Sequence, residues 1–130
     1  WPHAGYPTAL RRYAEAPQLA AQSSSIVLGS AANGLAPGVG LHAELRALVG
    51  AGLDTEHALR TAGINAAAAL GLGLQLGRIA PGASADIVLV DGDPLADIND
   101  AMNVVGVVRN GRFFSAIGLI ERAQQGLSVE

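Results

Sequence analysis

The sequence predicts an α/β fold, and three observations carry that prediction. A short apolar run, Ile26-Val27-Leu28, lies between SSS and Gly29 and reads as a strand buried on both faces. A glycine-rich loop then leads into two stretches whose apolar residues recur at helical spacing. Beyond about residue 76 the apolar period shortens from that of a helix to that of a strand, and turn dipeptides separate the segments. Strand, loop, helix, helix and then short strands is the order expected when helices are laid on a sheet.

The first twenty-odd residues read as a ragged helix, with Pro7 in its first turn, Arg11 and Arg12 towards solvent and Pro17 as its stop. After the Ile26–Leu28 strand, AANGLAPGVG is irregular because Gly, Asn and Pro favour turn conformations. LHAELRALVGAG follows as a helix with Leu41, Leu45, Leu48 and Val49 on one stripe, closed by Gly50 or Gly52. Asp54 or Thr55 then caps a second helix, whose stripe is Leu59, Ala62, Ala66 and Leu70 and whose end is Gly71. Pro81-Gly82 suits a type II turn, ADIVLVD a strand, and Asp91-Gly92 a further turn. Asp97 to Asp100 supplies a cap for a short helical turn. In VVGVVRNGRFF the pair Asn110-Gly111 favours a type I′ turn, predicting a hairpin over Val104–Phe114. A last helix runs from about Ala116 to Gln125.

Composition narrows the function. The chain has 130 residues, of which 50% are hydrophobic, but 25 are Ala and 17 are Gly. Each Ala buries little apolar area, so such a core depends on close backbone packing and suits part of a larger body better than a self-sufficient small domain. Net charge is −3 and all eight basic residues are Arg. No basic stripe with interleaved aromatics occurs, which argues against a nucleic-acid partner. Without cysteine there is no disulfide framework, thiolate zinc site or cysteine nucleophile. The opening WPHAGYPTALRRYAEA lacks the order of a signal peptide. The uncharged run between Arg60 and Arg78 is too rich in Ala, Gly, Asn65 and Gln75 for a membrane helix. No membrane partner is expected.

The candidate chemistry is sparse. GSAANG lacks the Lys of a phosphate loop, and there is no Lys anywhere in the chain. Gly38, Gly40 and Ala43 match the dinucleotide fingerprint by spacing, yet they begin nine residues after Gly29, where the fingerprint needs an immediate turn. His3, His42 and His57 are in neither H-x-H nor H-E-x-x-H spacing. His57 reads as a surface residue near a helix start. His42 stands at a helix N-terminus beside the loop after the buried strand, where α/β folds bind ligands, and with Ser30 and Asn33 it is a substrate-loop candidate. In DGDPLAD the carboxylates of Asp91, Asp93 and Asp97 do not alternate as a calcium loop requires, so turn and cap roles fit them better. No catalytic residue is assigned.

The succession ALR, NAA, LGL, LG-x-I-x-PG, ADIVLVD and DPL-x-DI, continuing through VVGVVRNGRFF, resembles the C-terminal end of the amidohydrolase superfamily over about residues 26–114. The resemblance implies the end of a (β/α)8 barrel that is incomplete in this chain, followed by strands of a small β-sandwich. It divides the chain into the last barrel strand and helices (1–75), sandwich strands and hairpin (76–115) and a C-terminal helix and tail (116–130). It also implies a parent that hydrolyses amide or other C–N bonds, in substrates such as dipeptides, with water activated by a divalent metal such as zinc. Those metal ligands lie on other parts of the barrel, except for an Asp after the eighth strand, and that position here is Ala31 in Gly29-Ser30-Ala31. An Ala offers no lone pair to a metal.

The expectation is therefore no metal ligand and no cofactor bound by this chain, and no activity from the chain alone. Self-association, or the missing barrel portion, would be needed for order. Two other readings stand beside this one: a non-catalytic binding or assembly module, and one subunit of a split hydrolase. An H-x-H about 250 to 350 residues upstream of Gly29 would mark a truncated enzyme.

Overall fold

The computed structural model describes residues 38–127. The expected first helix, the Ile26–Leu28 strand and Ser30, Ala31 and Asn33 lie outside the described residues.

Helix α1 spans Val39–Gly50. Its end is a Schellman motif, in which Leu53 N–H donates to Leu48 C=O (3.1 Å) and Gly52 N–H to Val49 C=O (2.9 Å). Gly52 has φ +100°, the left-handed conformation this motif asks of its terminal glycine. Of the two stops expected, Gly52 is the one that reverses the chain. The reversal folds Leu53 back beside Leu48 in a core with Leu45, Ala58 and Ile98, flanked by the partly buried Leu41, Val49 and Leu59. The stripe expected on this helix is the one that is buried.

Helix α2 spans Thr55–Ala62, and Asp54 caps it by accepting from His57 N–H at 2.9 Å. The continuous helix expected up to Gly71 is not what forms. It breaks at Gly63 (φ −112°, ψ −100°), and a separate short α3 covers Ile64–Ala69. Gly77 accounts for the break. A Cβ on Gly77 would lie 2.7 Å from the carbonyl carbon and oxygen of Gly63, so the two backbones meet where neither residue has a side chain. The buried face differs as well. Ala58, Thr61 and Ala67 are buried, while Ala62 and Leu70 of the expected stripe are exposed, Leu70 at 74%. Thr61 is only 1% exposed because its hydroxyl donates to Ala58 C=O at 2.6 Å, which satisfies it inside the core.

Pro81-Gly82 forms the type II turn, with Gly82 at φ +84° and Ala83 N–H donating to Ala80 C=O at 3.0 Å. Three antiparallel strands follow in the order β1 (Ile87–Val90), β2 (Val104–Arg109) and β3 (Arg112–Ser115). Between β1 and β2 a 3-10 helix, Ile98–Met102, is capped by Asp97 and packs on α1, carrying Ile98 into the core. Thr55 Oγ1 donates to Leu95 C=O, a second tie between the helices and this connection. The β2–β3 turn is Asn110-Gly111 with φ +49° and +75°, the type I′ geometry that matches strand twist.

Ile87, Val108 and Phe113 align across the three strands, and so do Val88, Val107 and Phe114 on the opposite face. Helix α4, Ala116–Leu127, brings Arg122 over the Phe114 ring (5.8 Å to the centroid) and so lies on that second face. The other face keeps Phe113 60% exposed; its ring lies over Gly106, where a Cβ would come within 2.5 Å of it.

Candidate functional site

His42 is the fourth residue of α1, as its place beside the loop implies. Its ring is partly buried, and Nδ1 is sealed from solvent without a hydrogen-bond partner among the described residues. Burial raises the Glu44 carboxyl above the usual carboxylate range. The other two loop candidates, Ser30 and Asn33, fall outside the described residues, as does Ala31, so His42 is the one member of the set whose surroundings are visible.

The other histidine with described geometry has a structural role. His57 is exposed, and its Nδ1 stands 2.8 and 2.7 Å from the two carboxylate oxygens of Asp54. The Asp54 carboxyl is held below its ordinary range, first by the His57 backbone N–H and then by the His57 ring. This is a helix cap that the His57 ring extends through its Nδ1 contact with the Asp54 carboxylate. The surface position expected of His57 is what the structure has.

The acidic segment is likewise spent on scaffold. Asp93 Oδ1 accepts from Leu95 N–H at 3.0 Å, and Asp97 Oδ1 from Asn99 N–H at 2.9 Å. Asp100 Oδ2 accepts from Asp93 N–H at 2.8 Å, and its carboxylate fills the space where a Cβ on Gly92 would sit. Asp86 is the member whose role sequence reading missed. It accepts from Asn110 N–H and Arg109 Nη1, both at 2.8 Å, and from Ser84 Oγ at 3.2 Å. The Asn110 amide, the Arg109 charge and the Ser84 hydroxyl together hold its carboxyl below the usual range. Ser84 is the one local partner; the two that define the role, Arg109 and Asn110, lie 23 and 24 positions away.

A metal centre would need carboxylates or imidazoles converging with free lone pairs. Among the described residues no group of three His, Asp or Glu side chains converges in this way. The donor set among the described residues does not fit a catalytic metal. A cleft of about 310 Å³ lined by Arg78, Ile79, Pro81, Ser84 and Ile87 offers one guanidinium and one hydroxyl, and that hydroxyl already donates to Asp86. Among the described residues no helix is long and apolar enough to cross a membrane.

Against this geometry, comparison with known proteins is specific. A solved Xaa-Pro dipeptidase with methionine bound in its active site superposes with a TM-score of 0.74 at 25% identity, covering 85% of this chain and 26% of that one. Molinate hydrolase superposes at 0.62 with 30% identity, covering 79% and 22%. A crystal structure of an amidohydrolase does so at 0.53 with 35% identity, covering 57% and 19%. The chain thus spans between 19% and 26% of the length of these three structures. No curated protein gives a significant match. The model of the amidohydrolase family matches residues 12–114, and the chain belongs to that family.

Proposed function

We propose that this chain is the C-terminal scaffold of a metal-dependent hydrolase of amide or other C–N bonds, with dipeptide-like compounds as the substrate class. Residues 1–75 would close a (β/α)8 barrel, 76–115 would supply strands of the adjoining sandwich, and 116–130 would form a terminal appendage. The observation that carries the reading is the family match over residues 12–114. The likeness to a Xaa-Pro dipeptidase over 85% of the chain supports the substrate class. The described carboxylates support a scaffold role, since Asp54, Asp86, Asp93, Asp97 and Asp100 are each committed to a cap, turn or strand.

On this reading the chain alone is inactive. Its part in hydrolysis is to position: α1 presents His42 at the loop side of the fold, and the Asp86-clamped sheet gives the barrel end a rigid neighbour. The self-associated state, or the fold completed by the remaining barrel portion, is its working form. The apolar surface left open at Leu70, Ile79 and Phe113 (74%, 85% and 60% exposed) favours such a partner.

A chimaera tests this. Replacing the C-terminal segment of the structurally similar Xaa-Pro dipeptidase by this chain carrying Ala31→Asp should preserve measurable dipeptide hydrolysis, while the isolated chain gives none. A chimaera that folds and loads metal but hydrolyses no dipeptide would contradict the proposal.

A further inference from the structure

The Asn110-Gly111 turn holds two reactive groups side by side. Asn followed by Gly can cyclise: the Gly backbone nitrogen attacks the Asn Cγ, a C–N bond forms, and the side-chain amide leaves as ammonia. Water then opens the succinimide at either carbonyl, leaving Asp or an isoaspartyl linkage in which the main chain runs through Cγ. Glycine permits this because it has no Cβ to obstruct the attack. Both residues are exposed, and the space around the Gly111 Cα is open, so water has access.

The fold restrains both partners. Gly111 N–H, the nucleophile, donates to Ala85 C=O at 3.1 Å, and Asn110 N–H donates to Asp86 Oδ1 at 2.8 Å. Both acceptors lie in the segment leading into β1, so the turn is held by a strand that is not part of the hairpin. The positive φ of both residues fixes the type I′ geometry, and ring closure must distort it. We propose that Asn110-Gly111 is a latent deamidation site gated by the Ala85–Asp86 contact: protected while β1 holds the turn and reactive whenever that contact opens.

The product would not re-form the clamp. An Asp at position 110 places a second carboxylate beside that of Asp86, and like charges at close range repel. An isoaspartyl linkage adds a methylene to a two-residue turn whose length sets the pairing of Arg109 with Arg112 and Val108 with Phe113. Opening and modification therefore reinforce each other.

Incubation of the full chain at mildly alkaline pH, with isoaspartate measured by peptide mapping, tests the gate. If reaction proceeds from the open state, the native chain should react roughly tenfold or more slowly than the same chain in urea. Asp86→Ala, checked for retained structure by circular dichroism, should react several-fold faster than the parent under native conditions. Isoaspartate is read at position 110 alone, because Asn33-Gly34 is a second Asn-Gly pair in the chain, and at position 110 Gly111→Ala should react slowly even in urea. Equal rates for the parent chain in native buffer and in urea would overturn the proposal. So would a folded Asp86→Ala variant that reacts no faster than the parent. Should Asp86→Ala fail to fold, the native-against-urea comparison decides alone.

Discussion

Asp86 accepts a hydrogen bond from the backbone N–H of Asn110, 24 positions downstream, at 2.8 Å, and with it fixes the tip of the β2–β3 hairpin to the start of β1. The same carboxylate takes Arg109 Nη1. One side chain thereby ties the start of β1 to the end of β2 and to the hairpin turn. Asp86→Ala should lower the melting temperature of the chain, and Arg109→Gln should lower it less, because the Arg109 guanidinium is largely exposed and screened.

That clamp has a pH signature. The Asp86 carboxyl is held below its ordinary range by the Asn110 amide first, and the Asp54 carboxyl by the His57 amide first. A depressed carboxylate stabilises the fold above its unfolded pKa, and the stabilisation is lost as pH falls through the lower, folded value. The melting-temperature difference between the parent and Asp86→Ala should therefore be constant near neutrality and shrink below about pH 4. A difference that grows on acidification would reverse the sign and refute the assignment.

Gly111→Val should destabilise the chain by about 1 kcal/mol or more, since a β-branched residue resists positive φ. A Cβ at this position meets nothing, so the loss is in the backbone alone. An unchanged melting temperature would count against the type I′ turn.

Gly77 and Gly82 separate strain from collision. Both have positive φ, +76° and +84°, but a Cβ on Gly77 lies 2.7 Å from the Gly63 backbone while one on Gly82 meets nothing. Gly82→Ala should destabilise by about 1 kcal/mol, and Gly77→Ala by clearly more, about 2 kcal/mol or above. Equal losses in thermal melts would dissolve the Gly63–Gly77 contact as the cause of the helix break.

What the sequence made legible were features whose cause is local. The Asn110-Gly111 hairpin, the Pro81-Gly82 turn and the Asp97 cap each depend on two to four consecutive residues, and each is found where those residues predict it. The α1 stripe was legible because Leu41, Leu45 and Leu48 are large and regularly spaced. The break at Gly63 was hidden because its cause, the approach of Gly77, arrives from fourteen positions away. The face of α2 was misread because the buried residue is Thr61, whose polarity disguises it and whose hydroxyl finds its acceptor one turn back. The Asp86 clamp was invisible for the first of these reasons. Of the candidate site, only His42 is placed, with its Nδ1 buried and unpartnered among the described residues, while Ser30 and Asn33 lie outside them.

Phe113, Leu70 and Ile79 lie open to solvent, where the proposed association would cover them. Light scattering across a dilution series should find the chain associated, through contacts burying more than about 1,000 Å². A compact monomer that melts cooperatively at low micromolar concentration would remove the need for a partner.

Zinc content is the most direct measurement of all. Elemental analysis of the purified chain, after exposure to zinc and desalting, should find well below one equivalent, with no hydrolysis of dipeptides, because no cluster of ligands converges among the described residues. One tightly held zinc per chain, lost on His42→Ala together with dipeptide hydrolysis, would show that the segment carries a metal centre of its own and would contradict its role as scaffold.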